Sequence, residues 1–138
     1  MAVLNKLLSI IEDMTKKLDE LVDQEYDLTD WRNQLTVLHA LQVQAQALID
    51  MCQRLLSNMG VASEGYVRLA VRLRENGLVT SEEEAFIRSI IGFRNIIVHG
   101  YATLDIGVIN EILKSRDYRR ILELALRLKD RAKEYWDP

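Results

Sequence analysis

Ser81-Glu82-Glu83-Glu84-Ala85-Phe86-Ile87-Arg88-Ser89-Ile90-Ile91-Gly92-Phe93-Arg94-Asn95-Ile96-Ile97-Val98-His99-Gly100-Tyr101 is the stretch that decides how this chain folds. Its first residues spell a helix start. Ser81 can cap a free amide three residues on while Glu84 reaches back to it, and Glu82, Glu83 and Glu84 suit the positive end of the helix dipole. Phe86, Ile87, Ile90, Ile91, Phe93, Ile96, Ile97 and Val98 then make the helix apolar on nearly every side, which predicts burial on every side. In a chain this small, one of those sides is expected to lie against a second copy, making a homodimer. Gly92, in mid-helix, lets another backbone come close at a cost of ~1 kcal/mol relative to Ala. Gly100 should end the helix.

Working outward, apolar residues recur at threes and fours almost everywhere. Leu4, Leu7, Ile11, Met14, Leu18 and Leu21 predict a helix from about Val3 to Val22, and the polar run Asp23 to Thr29 a loop. A longer helix starts near Asp30. Trp31, Leu35, Leu38, Gln42, Ala45, Ile49, Cys52 and Leu56 form a seven-residue seam along it, ending before Gly60. Tyr66 to Glu75 reads as a short helix with Gly77 as a left-handed terminator. Asp105 can cap a fifth helix carrying Ile109, Ile112 and Leu113, and a last one runs from about Asp117 to Trp136. The expected architecture is all-α: an up-and-down bundle of five to six helices, one domain spanning residues 1–138.

The composition narrows the possible functions. A chain of 138 residues, 49% hydrophobic and 28% charged, is an ordinary globular protein. Cys52 stands alone, which excludes an intrachain disulfide and a zinc-finger site. No metal and no cofactor is expected. A net charge of −3 argues against nonspecific coating of nucleic acid, though not against a local basic cleft. No secretory start or run of ~18 apolar residues is present, so the expected location is the cytoplasm, away from membranes.

The chemistry concentrates at the end of the opening stretch. Arg94 and His99 are five positions apart and would diverge by ~140° on an unbroken helix. Unwinding at His99, beside Gly100, would let the imidazole swing toward Arg94. At a helix C-terminus the dipole favours the imidazolium, which suits proton transfer near neutral pH. Arg94 offers a permanent charge and a planar fork matched to phosphate oxygens. Bare spacing is equally compatible with a capping His and an Arg paired to a carboxylate. Placement of two cations and a phenol on the most apolar helix adds weight to function, because burying such groups without a use is costly.

The run Gly92-Phe93-Arg94-Asn95-Ile96-Ile97-Val98-His99-Gly100-Tyr101 resembles the Arg-polar-(three residues)-His-x-Tyr signature of the HEPN superfamily, in its HepT-type toxin version. The likeness extends to Leu38-His39-Ala40-Leu41-Gln42, Ala47-Leu48-Ile49-Asp50-Met51, Leu73-Arg74-Glu75-Asn76-Gly77-Leu78-Val79, Asp105 and Glu111-Ile112-Leu113, roughly Leu35 to Leu126. What it implies is a HEPN-like helical homodimer acting as a metal-independent ribonuclease, with the motifs of two subunits facing each other. Arg94 and His99 would be catalytic and Asn95 a polar helper. Tyr101 would be a site residue and the target of AMPylation by a cognate minimal nucleotidyltransferase antitoxin. RNA would be the substrate.

Weaker features receive plainer readings. Gln42, Gln46 and Asp50 make a polar stripe that either lines the cleft beside Arg94 or hydrogen-bonds between helices; the second is the reading taken. Arg68 and Arg72 could track an RNA backbone but read as solvated beside Glu75, and His39, Trp31 and Trp136 read as packed. Three classes of function remain in view. They are a ribonuclease toxin, a non-catalytic HEPN subunit that binds nucleotide or regulates a partner nucleotidyltransferase, and a helical dimer without any nucleotide role.

Overall fold

The computed structural model describes residues 2–62, 65–100 and 103–138. Among them are six α-helices and no strand: α1 (Val3–Val22), α2 (Trp31–Asn58), α3 (Leu69–Glu75), α4 (Ser81–His99), α5 (Ile106–Ser115) and α6 (Arg119–Arg131). A 3-10 turn at Lys133–Tyr135 completes the last predicted helix, which therefore ends one turn earlier than its apolar pattern suggests.

Local chemistry accounts for the ends. Asp30 caps α2 by accepting from the Arg32 amide at 2.9 Å, and Asp105 caps α5 through Gly107 at 2.8 Å. Gly77 takes φ +76, and the Leu78 amide donates to Leu73 O at 3.0 Å, closing α3 as expected. The same wrap ends α5 at Arg116, a non-glycine residue at φ +55. Its left-handed backbone is held by ion pairs from its guanidinium to Asp19 and Asp23 on the end of α1.

The start of α4 lies one residue earlier than the sequence pattern indicates. Thr80, not Ser81, is the cap: its hydroxyl accepts from the Glu83 amide at 3.1 Å, and Glu83 returns a bond to the Thr80 amide at 2.9 Å. Tertiary contacts decide between the two registers. Glu83 faces α6, where Arg127 and Arg131 reach it at 2.9 and 2.6 Å, while Glu84 is taken by Arg74 of α3 at 2.8 Å.

Pairs of contacts give the topology. The start of α1 meets the chain's end, Leu4 and Asn5 amides donating to Asp137, and the end of α1 meets the start of α6 through Asp19 and Arg119. Asn58, at the end of α2, bonds Tyr135 O at 2.9 Å. Glu83 at the start of α4 meets the end of α6, while Ile97 near its end packs with Val37 and Leu41 of α2. Thus α1, α2, α4 and α6 alternate up and down, with α3 and α5 closing the two ends. Apolar side chains form two clusters along this bundle, one around Leu48, Leu55, Ile87 and Leu128, the other around Leu18, Leu41, Ile97 and Leu113. Gln44 is wholly buried and ties α2 to both neighbours. Its amide donates to Thr15 Oγ1 at 2.8 Å and to Tyr118 O at 3.0 Å.

The seven-residue seam on α2 holds for only half its length. Ala45, Ile49, Cys52 and Leu56 are fully buried, whereas Trp31 and Leu35 are 67% and 60% exposed. A straight helix drifts ~20° per heptad against a strict seven-residue repeat, so two heptads back from Ala45 the seam has turned ~40° away from the core. Val37 and Leu41 are buried instead. His39 lies on the exposed side, not packed, while Trp136 is partly buried against the core with its indole N–H on Asn5 at 2.8 Å.

Glu83 yields a pH prediction. Burial opposes its charge, but hydrogen bonds from Arg131 and the Thr80 amide, with the charge of Arg131 and a bond from Arg127, outweigh it and hold the pKa down to about 2. The stabilisation should be complete above the unfolded carboxylate value of ~4.3 and fade as pH falls through the folded value. Glu83→Gln is expected to cost about 2 kcal/mol at neutral pH. The gap to wild type should close toward pH 2 in denaturant titrations; a gap that ignores pH would contradict the assignment.

Candidate functional site

α4 meets water along one stripe. Ile87, Ile90 and Ile97 are buried, and Phe86, Ile91, Phe93 and Val98 are half-buried. Ala85, Arg88, Ser89, Gly92, Asn95, Ile96 and His99 form a continuous exposed face. The helix is therefore not buried all round by its own chain. Ile96 is 46% exposed, and a Cβ added at Gly92 would meet nothing within 4 Å. Among the described residues no backbone uses the close approach that Gly92 permits.

The helix also keeps its winding to the end. Helical geometry persists through His99, and the Gly100 amide donates to Ile96 O at 2.8 Å. The expected unwinding at His99 does not occur, so Arg94 and His99 leave the axis ~140° apart. Gly100 contributes differently. A Cβ there would come within 3.3 Å of both Ile96 O and Thr103 Oγ1, so a side chain would force these neighbours to give by a few tenths of an ångström.

Arg94 leaves the flank of α4 toward α2. Its Nε–H donates to Gln46 Oε1 at 2.8 Å, and its guanidinium carbon lies 5.3 Å from the ring centroid of Tyr66. From there Nη1 reaches back to Asn95 Oδ1 at 3.0 Å. Asn95 and His99 are four residues apart, hence only ~40° apart around the helix. Asn95 thus links the guanidinium on the flank to the open face that carries the imidazole. Among the described residues no carboxylate pairs with Arg94, so its charge is uncompensated. His99 is exposed, with no hydrogen-bond partner among them. Tyr101 lies outside the described residues.

The polar stripe on α2 combines both readings the sequence offered, hydrogen bonding between helices and a place beside Arg94. Gln46 does hydrogen-bond within its own helix, Nε2 donating to Asp50 at 2.8 Å, but its other end holds Arg94. Tyr66 gave no sequence signal, because its contact with Arg94 spans elements distant in the chain. Gln42, Gln46 and Asp50 line a groove of about 230 Å³ with Leu7, Ile10 and Val43. Arg68 is exposed, and Arg72 pairs with Glu75 at 3.3 Å. Among the described residues no three His, Cys, Asp or Glu side chains gather as a metal site, and no helix is long and apolar enough to cross a membrane.

The profile of the family described as Ribonuclease HepT-like matches residues 7–128. The chain belongs to the HepT-like family. No curated protein matches it in sequence. Among solved structures, its fold is similar to that of YutE from Bacillus subtilis, a cytosolic protein of unknown function, with TM-score 0.77 and 18% identity over 98% of this chain and 92% of the other. It is similar also to the tri-AMPylated Shewanella oneidensis HEPN toxin seen in complex with its MNT antitoxin (TM-score 0.75, 18% identity, 90% and 96% covered). A third similar structure is a toxin–antitoxin with AMP-PNP (TM-score 0.74, 17% identity, 91% and 98% covered). At these identities the likeness concerns the HEPN-like helical fold. The family match reaches back into α1, beyond the stretch from Leu35 to Leu126 that the motifs cover.

In this HepT-like chain, Arg94 and His99 make different demands on stability. Arg94→Ala removes a charged hydrogen bond and an aromatic contact and should cost about 1–2 kcal/mol. For a chain of this size that lowers Tm by roughly 3–8 °C. His99→Ala, on an exposed side chain, should leave Tm unchanged within error. Scanning calorimetry of both variants checks the contrast.

Proposed function

We propose that this chain is the toxin of a toxin–antitoxin pair: a cytoplasmic, metal-independent endoribonuclease, folded as one HEPN-like domain and working as a homodimer. The observation that carries the reading is the uncompensated guanidinium of Arg94, tied through Asn95 to an open, partly apolar face that displays His99. Within one chain the imidazole and guanidinium diverge. A second copy laid against the stripe of Ala85, Ser89, Gly92 and Ile96 would cover that face and bring two sets of Arg94, Asn95 and His99 to one groove. Small residues at this spacing let two helices approach closely.

The residue types then supply the reaction. RNA carries its own nucleophile, the ribose 2′-hydroxyl. Neutral His99 takes its proton as the 2′-oxygen attacks phosphorus. The imidazolium of His99 of the partner subunit gives a proton to the departing 5′-oxygen. The products are a 2′,3′-cyclic phosphate and a 5′-hydroxyl end, and each positioned acid or base contributes ~10²–10⁴-fold. Arg94 from each chain binds the phosphate and stabilises the added charge of the pentacoordinate transition state. Asn95, its Oδ1 engaged by Arg94, keeps an amide N–H for a phosphate oxygen.

Control by a cognate minimal nucleotidyltransferase follows the same logic. AMP attached to Tyr101 would set a bulky anion two residues from His99, where it competes with RNA for Arg94. The family membership supports this reading, as does the likeness to an AMPylated toxin held by its antitoxin.

A non-catalytic subunit that regulates its nucleotidyltransferase is the second reading. One observation favours it: the ~140° between Arg94 and His99 on an unbroken helix. RNA cleavage in EDTA separates the two. The wild type should cut RNA and leave cyclic phosphate, while Arg94→Ala and His99→Ala lose at least ~10²-fold. Cleavage that needs Mg²⁺, or that persists at a 2′-deoxy position, would sink the mechanism. Equal behaviour of wild type and His99→Ala removes the enzyme. Ile96→Arg should shift the protein to monomer in sedimentation and abolish cleavage together. Incubation with the partner enzyme and ATP should add the mass of AMP to a Tyr101 peptide.

A further inference from the structure

A guanidinium that must grip a phosphate has two enemies: its own freedom and a neighbouring carboxylate. Arg94 has a carboxylate close by, since Asp50 lies one helical turn from Gln46 on α2. The two do not pair. Gln46 stands between them. Its amide oxygen accepts from Arg94 Nε–H at 2.8 Å, while its amide nitrogen donates to Asp50 Oδ1 at 2.8 Å and to the Tyr66 hydroxyl at 3.4 Å.

The chemistry of the ends determines this orientation. Arginine has only donors and an ionised carboxylate only acceptors, so a flipped amide would lose both bonds at once. An amide is also the one common side chain of this length that can satisfy both and carry no charge. Direct pairing of Asp50 with Arg94 would occupy the fork and cancel its field. With Gln46 between them, only Nε is consumed. One Nη1 hydrogen goes to Asn95. The remaining Nη1 hydrogen and both on Nη2 are left for an anion, with Tyr66 supporting the planar face.

We infer that Gln46 is a positioning residue of the active site: it orients the Arg94 guanidinium through Nε and insulates it from Asp50, so that its outer nitrogens face the scissile phosphate with full charge. The inference rests on the ribonuclease reading given above. Gln46 itself touches no substrate atom.

Two substitutions and two readouts test it. Gln46→Leu removes the acceptor. It should lower kcat on a defined oligoribonucleotide by ~10-fold or more, as expected when a catalytic group is misplaced by a fraction of an ångström to an ångström, with KM changed less than about twofold. Gln46→Glu keeps an acceptor but adds the charge that Gln46 excludes. It should raise KM several-fold, because the introduced carboxylate pairs with the guanidinium and competes with the substrate phosphate for it. The second readout needs no activity: the Nε–Hε correlation of Arg94 in a ¹⁵N spectrum should be sharp in wild type and broadened by exchange in Gln46→Leu. Wild-type kcat in Gln46→Leu, or an unaltered Arg94 resonance, overturns the role of Gln46 while Arg94→Ala still abolishes cleavage. Wild type and Arg94→Ala both inactive on RNA overturns the ribonuclease reading, and the catalytic role of Gln46 with it, whatever the resonance shows.

Discussion

A helix can bury only the part of its surface that other elements reach, and α4 carries more apolar surface than the rest of this chain covers. Ile87, Ile90 and Ile97 are enclosed by α2 and α6 and their neighbours, but Gly92 and Ile96 remain open beside Asn95 and His99. The bundle's alternation brings about this asymmetry. α3 and α5 close its two ends, and neither crosses the outer face of α4. The open stripe of α4 therefore carries Asn95 and His99 on the same surface as Gly92 and Ile96.

How α4 is anchored matters equally. Glu83 joins its first turn to α6 through two arginines, and Glu84 joins it to α3 through a third. The far end is held by Ile97 packing against Val37 and Leu41. Fastened at both ends, the helix has no freedom to rotate, and the angle between Arg94 and His99 is set by helical geometry alone. No unwinding at the helix end brings cation and imidazole together; Asn95 bridges flank and face.

Charge placement shows a comparable economy. Asp19 gathers Arg116, Arg119 and the Tyr118 hydroxyl where α1 meets α6, and burial together with the Asp19 contact pushes the Tyr118 phenol well above its ordinary value. Most of the arginines with described partners thus serve the fold. Arg94 differs, since its partners are an amide, an asparagine and an aromatic ring, none of which neutralises it. That contrast sets Arg94 apart from the arginines whose ion pairs fasten helices together.

Much of this could be read from the amino-acid order. Spacing of Leu4, Leu7, Ile11, Met14, Leu18 and Leu21 specified α1 to its observed ends, Gly77 and Asp105 marked their boundaries, and the signature around Arg94 and His99 pointed to the family. These features are local: periodicity, turn chemistry and a short motif lie within a few residues of one another. What only the tertiary structure decided depends on partners far away in the chain. Thr80 displaced Ser81 as the cap because Arg127 and Arg131 draw Glu83. Trp31 and Leu35 fell outside the core because a straight helix drifts from a seven-residue seam. Gln46 joined Arg94, with Tyr66 beneath it, across separations of 48 and 28 residues that no local pattern encodes. Local order chose the helices; long-range packing chose which face of each would meet a neighbour, and so which side chains surround Arg94.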